Sequence, residues 1–292
     1  MSGQISIVTP SYHGDLERCR LLCDTMDRYC TGYSQHTIVV DDDDYAVFAA
    51  RFAGPLRRVV ATSALLPTFW AVGRWRGRRY RWRPGTGLPI YGWHLQQLRK
   101  IAFTLAQDAE RVLCIDSDVC FCRPADFGRM ASAERTPLWI ETGAVTAAKP
   151  YHMRWRANAY RALGLETPPL PGDDFIGQMI AWDRGTMQRI IERIERVNGR
   201  PWWQVLARQR HFSEYMTYGA AVSTDEALRA THEPVDRSPC FAYWSGPALD
   251  AAGVARLIQQ LRPDQYALAV QSHTQTPLAV IRAAAMGSAS VS

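Results

Sequence analysis

The sequence predicts an α/β fold, in which a mainly parallel, doubly wound sheet is flanked by helices within a single domain. Short apolar segments with the pattern of strands alternate with longer segments of helical periodicity, which is typical of this class. Polar clusters follow three of the strands, at the edge where ligands of parallel sheets collect. With 292 residues, 47% of them hydrophobic, the chain is long enough for one large core.

The first half of the chain alternates regularly between the two patterns. Residues 5–9 are apolar and are followed by Pro10, which predicts a short buried strand. Apolar side chains then recur every three or four positions over residues 15–29, which predicts a helix. By the same criteria we predict strands at 36–40, 58–61 and 111–115, and helices at 45–52 and 91–107.

The second half is less regular but keeps both patterns. We predict strands at 137–140, 178–182 and 266–270, helices at 151–163, 184–197 and 250–261, and a helix start near Glu214. The proline-rich stretch at 167–174 is expected to be a loop, and the small, polar residues 283–292 are expected to fray.

Positive charge is concentrated in one stretch of the chain. Residues 45–107 contain ten arginines and one lysine but no Asp or Glu. The densest part, 73–85, interleaves six arginines with Trp75, Tyr80 and Trp82. Two interpretations stay open: a solvated, mobile loop, or a surface for an anionic partner such as a phosphorylated substrate, lipid head groups or nucleic acid.

The chain has neither a run of 18 apolar residues nor the residue order of a secretory signal in "MSGQISIVTPSY". We therefore expect a cytoplasmic protein, with peripheral contact at the anionic inner membrane surface as the open alternative.

Two aspartates, Asp116 and Asp118, end the apolar strand of "VLCIDSDVCF". Side chains two positions apart in an extended segment point the same way, so these carboxylates would repel each other without a counter-charge. A divalent cation removes that repulsion. Oxygen ligands that leave room for water and a phosphate suit Mg²⁺ or Mn²⁺. The motif therefore predicts a metal-bound phosphate.

The segments "ISIVTPSY", "IVVDDD", "GWHLQQLRKIAF", "VLCIDSDVCF", "DFIGQMIAWDR" and "FSEYMTYG", in this order, resemble the GT-A glycosyltransferases and most closely the bacterial DUF6492 family. The resemblance implies a GT-A domain over 1–280, with a nucleotide-sugar-binding half (1–135) and an acceptor and catalytic half (136–280). It implies a nucleotide-diphosphate sugar as donor, with a UDP-sugar favoured. The acceptor would be a glycan, glycolipid or other hydroxyl compound of bacterial glycan synthesis, and nucleic acid is not expected.

The resemblance also implies roles for individual residues. Asp116 and Asp118 resemble the metal ligands, and His273 resembles a third one, although a structural histidine is an equal alternative. Asp116 would also contact the donor, together with Thr9, Pro10, Ser11, Tyr12, Asp42, Asp43, Gln97 and Lys100. The acceptor proton needs a carboxylate, for which Glu214 is the first candidate and Asp173 and Asp174 are the rivals.

Other functions stay open at this point. A haloacid-dehalogenase-type phosphatase also places such a pair after a strand, with Asp116 as nucleophile. A nucleotidyltransferase should carry a glycine-rich basic loop after its first strand, which "TPSYHGD" is not. A non-enzymatic binder of anionic polymers or membranes would use the arginine-rich stretch. Whether transfer inverts or retains stereochemistry is left open.

Overall fold

A computed structural model describes residues 4–287, which form a single mixed α/β domain with seventeen strands and eleven helices. The strands are β1 (Ile5–Pro10), β2 (Cys30–Thr31), β3 (Gln35–Val40), β4 (Arg57–Ala61), β5 (Trp70–Trp75), β6 (Arg78–Trp82), β7 (Ile90–Tyr91), β8 (Arg111–Ile115), β9 (Val119–Phe121), β10 (Ala125–Asp126), β11 (Thr136–Trp139), β12 (Glu141–Val145), β13 (Gly172–Asp174), β14 (Met179–Asp183), β15 (His232–Val235), β16 (Cys240–Tyr243) and β17 (Ala267–Val270).

The helices lie between and around these strands. They are α1 (Leu16–Tyr29), α2 (Tyr45–Phe52), α3 (Gly92–Leu105), α4 (Gly128–Ser132), α5 (Pro150–Ala162), α6 (Arg184–Asn198), α7 (Trp202–Arg208), α8 (Glu214–Thr224), α9 (Glu226–Ala230), α10 (Ala251–Gln259) and α11 (Leu278–Gly287). None of them is long and apolar enough to cross a membrane, over the residues that the structure describes.

A five-stranded sheet forms the centre of the domain, in the order β14-β8-β1-β3-β4. Its last four strands are parallel, whereas β14 runs antiparallel beside β8. Five smaller sheets surround it. Over the described chain, six strand pairings are parallel and five are antiparallel. The α/β prediction is confirmed, but "mainly parallel" is wrong for the chain as a whole, because short hairpins and returning strands add antiparallel pairs.

The central strands are buried on both faces, and their side chains alternate between two cores. Ile7 of β1 and Leu113 of β8 pack on one face with α1, while Val8 and Cys114 pack on the other with α3. By this alternation Asp116, which follows β8, lies on the side of the sheet that α3 covers. The alternation therefore explains why an α3 side chain meets this carboxylate.

Three segments differ from their predicted structure. The arginine-rich segment is a β-hairpin of β5 and β6, closed by Arg76 and Gly77 at φ 49° and 75°. Part of the predicted loop at 167–174 is strand β13, which pairs with β12. Residues 283–287 do not fray but complete α11, where Ala285 is buried; the rest of that predicted tail, 288–292, lies outside the described residues.

Two buried histidines make the stability of this fold depend on pH. Burial lowers the pKa of His36 to about 3 and that of His94 to about 4, whereas an unfolded histidine titrates near 6.5. Below about pH 6.5 the unfolded chain binds protons that the folded chain excludes, so acid favours unfolding. We expect the free energy of unfolding to fall by roughly 3 kcal/mol for the pair between about pH 7.5 and 5.5.

Two other groups act in this range: the raised pKa of Asp118, about 7, opposes the loss, and the lowered pKa of His232 adds to it. Urea unfolding at the two pH values is therefore compared between the protein and His36→Gln, which should lack about half of the pH dependence of the pair, because the group that titrates in the unfolded state is gone. His273→Gln, at an exposed position, is the control and should retain it. An unchanged pH dependence in His36→Gln would contradict the prediction.

Candidate functional site

The carboxyl ends of β1 and β8 open into a cavity of about 280 Å³. Helices α3 and α8 form part of its wall, and the loop after β17 closes another part. The residues that line it are Pro10, Asp15, Arg18, Trp93, Gln96, Gln97, Lys100, Asp116, Ser117, Asp118, Trp155, Ile176, Gly177, Gln178, Ser213, Glu214, Tyr215, Trp244, Gln271 and Ser272. The polar strand ends thus meet in a cavity, as the sheet topology requires.

Lys100 is the centre of a buried ionic cluster in this cavity. Its Nζ donates to Asp116 Oδ1 at 2.7 Å, to Glu214 Oε1 at 3.0 Å and to the Tyr215 hydroxyl at 2.8 Å. Burial by itself would lower the pKa of Lys100, but the charge of Asp116 and then of Tyr215 and Glu214 holds this pKa well above its ordinary value. Lys100 is therefore a fixed cation at the bottom of the cavity.

Glu214 begins α8 and is almost fully buried. Its backbone N–H donates to Gln97 Oε1 at 3.1 Å, which ties the start of α8 to α3. Burial raises the pKa of Glu214, and the Lys100 ammonium opposes that shift. Its Oε1 accepts the hydrogen bond from Lys100, whereas no side chain of the described residues donates to Oε2, and Glu214 lines the cavity.

Asp118 forms no salt bridge among the described residues, although the charge of Arg18 partly opposes the rise of its pKa. Gln271 Nε2 donates to its Oδ2 at 2.9 Å, but its Oδ1 is buried with no hydrogen-bond partner among the described residues. Burial, and then the nearby Asp116 carboxylate, raises the pKa of Asp118 to about 7. A buried carboxylate oxygen without a partner is costly unless a ligand supplies one.

The segment that carries the two aspartates is a turn and not an extended strand, which corrects our expectation. The Val119 N–H donates to the Asp116 carbonyl oxygen at 3.2 Å, because the chain reverses there to enter β9 of another sheet. Both carboxylates nevertheless line the cavity.

Other buried polar atoms at the cavity, like Asp118 Oδ1, have no hydrogen-bond partner among the described residues. Gln97 Nε2, Trp155 Nε1 and Gln178 Oε1 belong to lining residues and are buried without a partner in the described chain. Native proteins pair the large majority of such atoms, so four of them around one cavity indicate a ligand-binding site.

A second cavity, of about 560 Å³, adjoins the first and shares Asp15, Trp93, Gln96 and Ser272 with it. Its wall is strongly basic and also contains Tyr12, His13, Asp41, Arg74, Arg78, Arg79, Tyr91, Arg99 and His273. Asp41 forms a buried ion pair with Arg99 and accepts a weaker contact from Arg81 at 3.7 Å. The two cavities together offer room for an elongated anionic ligand.

Most of the predicted site residues meet at these two cavities. Pro10, Gln97, Lys100, Asp116, Asp118 and Glu214 line the first, and Tyr12 and His273 line the second. Thr9 and Ser11 lie beneath the surface instead. Thr9 Oγ1 is hydrogen bonded to His36 Nε2 at 3.0 Å, and Ser11 Oγ is buried without a partner among the described residues.

The structure places two predicted pairs of aspartates away from the cavities. Asp42 contacts Ser63 and Asp43 pairs with Arg81 at 2.7 Å, so Asp41 is the member of this acidic run that faces a cavity. Asp173 accepts from the Gly143 N–H at 3.0 Å.

Asp174, the other member of the second pair, is held by a network of its own. Its Oδ2 lies 2.6 Å from His152 Nδ1 and 3.5 Å from Lys149 Nζ, and His152 and then Lys149 lower the pKa of Asp174 in spite of its burial. It does not line either cavity. The ion pairs therefore favour the ionised form of this carboxylate, outside both cavities.

The three residues predicted to bind a metal do not form one cluster. Within residues 4–287 no three His, Cys, Asp or Glu side chains gather closely enough to hold a metal ion, and His273 is exposed in the second cavity. The unpartnered Asp118 Oδ1 and the free oxygen of Asp116 do fit a hard divalent cation, with water and a phosphate to complete its shell.

Several residues that line the first cavity were not predicted as site residues from the sequence. Trp93, Trp155 and Trp244 bring three indole rings to the first cavity, and Gln178 and Gln271 bring amides. An isolated Trp or Gln carries no local signal of function. Only the position of Gln271 directly after a predicted strand could have drawn attention to it.

One family model matches the sequence. It describes a family of unknown function, DUF6492, and covers residues 3–286. No curated protein matches the chain. Because the match spans nearly the whole sequence, the protein belongs to the DUF6492 family.

Proposed function

We propose that the protein is a metal-dependent glycosyltransferase of the GT-A type, which moves a sugar from a nucleotide-diphosphate donor to an acceptor hydroxyl. The observation that carries this proposal is the first cavity. There a fixed ammonium, two cavity-lining aspartates and a buried, partly free glutamate meet at the carboxyl ends of parallel strands. Glycosyl transfer needs a cation against the leaving diphosphate and an acceptor for the hydroxyl proton, and these groups match both needs.

Asp116 and Asp118 would hold Mn²⁺ or Mg²⁺ through the oxygens that are free of protein partners. The cation would offset the charge of the donor diphosphate. Lys100 is close enough to this edge to contribute a second positive charge, because its Nζ already contacts Asp116. The charge that develops on the leaving group would thus face fixed cations in the cavity.

The nucleotide would occupy the second cavity. Tyr12 offers an aromatic side chain at its wall, and the Asp41–Arg99 ion pair offers both hydrogen-bond donors and acceptors. The cavity adjoins the two aspartates through Asp15 and Gln96, so a diphosphate could connect the two compartments.

The acceptor would enter beside the indole rings of Trp93, Trp155 and Trp244, since aromatic faces pack well against the apolar faces of sugars. Glu214 would accept the proton of the acceptor hydroxyl on Oε2, while Lys100 orients the carboxylate through Oε1. The position of Asp174 outside the cavity favours Glu214 over its two rivals.

One observation keeps a phosphatase as the second candidate. The side chain of Asp116 is 31% exposed and one of its oxygens is free, so it could attack a phosphate that Lys100 holds. Trapping of an aspartyl-phosphate on Asp116 would favour this function.

Calorimetric titration with a panel of nucleotide sugars, in Mn²⁺ and in EDTA, tests the proposal, with donor hydrolysis as a second readout. We expect at least one UDP-sugar to bind only with the metal, and Asp118→Asn to weaken binding by about tenfold or more. Asp42→Asn is the matched control, since this carboxylate lies outside both cavities. If no sugar nucleotide binds, or if EDTA and Asp118→Asn change nothing, the proposal is wrong.

A further inference from the structure

The β5–β6 hairpin exposes large apolar side chains that nothing in the proposed function uses. Trp70, Val72 and Trp75 of β5 are 51%, 50% and 61% exposed, and the neighbouring Leu88 is 61% exposed. Every residue of β5 is exposed. The surfaces of soluble monomeric proteins seldom expose a group of large apolar side chains like this one unless it binds another molecule or a membrane.

The cross-strand register places the aromatic side chains on one face of this hairpin. Trp70 is opposite Trp82, Gly73 is opposite Tyr80 and Trp75 is opposite Arg78. Since directly opposed residues share a face, four aromatic rings and Arg78 lie together. We call Trp70, Trp75, Arg78, Tyr80 and Trp82 the aromatic face.

The arginines of the hairpin divide into two groups. Arg79 and Arg81, on the opposite face, are held by the body of the protein, at 3.1 Å from Asp44 and 2.7 Å from Asp43. Arg74, Arg76 and Arg78 are exposed and form no salt bridge with any described residue. Arg78 belongs to the aromatic face and Arg76 lies in the turn, where their guanidinium groups stack on Tyr91 and Trp75 at 4.9 and 4.5 Å. Arg74 is opposite Arg79, so it lies on the second face, but it is exposed there. The hairpin therefore attaches through Arg79 and Arg81 and leaves the other three arginines accessible to solvent.

We propose that the hairpin docks on the surface of a bilayer that contains anionic lipids. Trp and Tyr side chains prefer the interface between head groups and acyl chains. Arginines of the hairpin that form no salt bridge can contact the lipid phosphates there. The positive charge of residues 45–107 complements the anionic head groups, because this part of the chain contains no carboxylate that the lipid phosphates would repel. Val72 and Leu88 favour a bilayer over nucleic acid, since aliphatic side chains gain from acyl chains and have no role in stacking on bases.

This docking would leave the site open to lipid-borne molecules. Arg74, Gly77 and Arg78 also line the second cavity, so the membrane surface would lie beside the mouth of that cavity. The inference itself does not depend on the proposed function, because it rests on the exposed residues of the hairpin alone.

Co-sedimentation of the full chain with phosphatidylcholine vesicles, with and without phosphatidylglycerol, tests the proposal. We expect binding to the vesicles with phosphatidylglycerol only. Combined Arg74→Gln, Arg76→Gln and Arg78→Gln should lower the partition coefficient by roughly 100-fold. Trp70→Ala with Trp75→Ala should also weaken binding, and the remaining binding should become more sensitive to salt.

The matched control removes three exposed arginines elsewhere, by Arg189→Gln, Arg196→Gln and Arg200→Gln on and after α6. It changes the net charge equally and should retain binding. Thermal unfolding checks that each variant folds. The proposal is overturned if the protein does not bind the phosphatidylglycerol vesicles, or if both triple arginine variants lose vesicle binding to the same extent. It is also overturned if the protein binds single-stranded DNA in preference to the vesicles.

Discussion

Replacement of Lys100 by methionine is expected to lower the free energy of unfolding by about 3–5 kcal/mol. The ammonium contacts Asp116 and Glu214 at 2.7 and 3.0 Å, and the Glu214 side chain is only 4% exposed. Without Lys100 the Glu214 carboxylate stays almost fully buried and has no counter-charge. Urea unfolding at neutral pH measures the loss.

Two variants separate this effect from a general effect of lysine removal. Lys149→Met is the control, because this ammonium is 39% exposed and lies 3.5 Å from Asp174, so its removal should cost less than about 1 kcal/mol. Addition of Glu214→Gln to Lys100→Met should restore part of the lost stability, since the more deeply buried carboxylate is then neutral and only the 31% exposed Asp116 is left without its cation. If Lys100→Met lowered the free energy of unfolding no more than Lys149→Met does, the ionic cluster around Lys100 would not be a buried unit.

Glu214→Gln is expected to reduce the rate of sugar transfer by about 10²–10⁴-fold while donor binding persists. Glutamine keeps the size of the side chain and its contact with Lys100 but cannot accept the proton of the hydroxyl. The kinetics should therefore show a loss in kcat with little change in the KM for the donor. The donor identified by titration serves as substrate, with a simple glycoside as acceptor.

Asp174→Asn is the counterpart of that variant. Its carboxylate is committed to His152 and Lys149 outside the cavity, so we expect lower stability and nearly normal transfer per folded molecule. An opposite outcome, with Asp174→Asn inactive and Glu214→Gln active, would move the role of base to Asp174 and would require the two-stranded β12–β13 sheet to approach the substrate.

The order and nature of most elements near the site followed from the sequence. The bounds of α2 (Tyr45–Phe52) and β8 (Arg111–Ile115) agree with prediction at both ends. These elements show their pattern locally, because side chains two apart on a strand or three to four apart on a helix share an environment. The hairpin of β5 and β6 lacked such a signal. Strand β5 is exposed along its whole length, so no alternation of apolar and polar residues marks it.

By itself the sequence determined that carboxylates end the apolar strand β8 and that a lysine lies on the helix before it, since both are properties of neighbouring residues. Only the tertiary structure decided which groups meet. Lys100 and Glu214 are 114 positions apart, and Asp118 and Gln271 are 153 apart, so their contacts depend on how the sheet and α8 pack. The same packing turned Asp41 toward a cavity and enclosed Asp174 with His152, because burial and ion pairing depend on the whole fold.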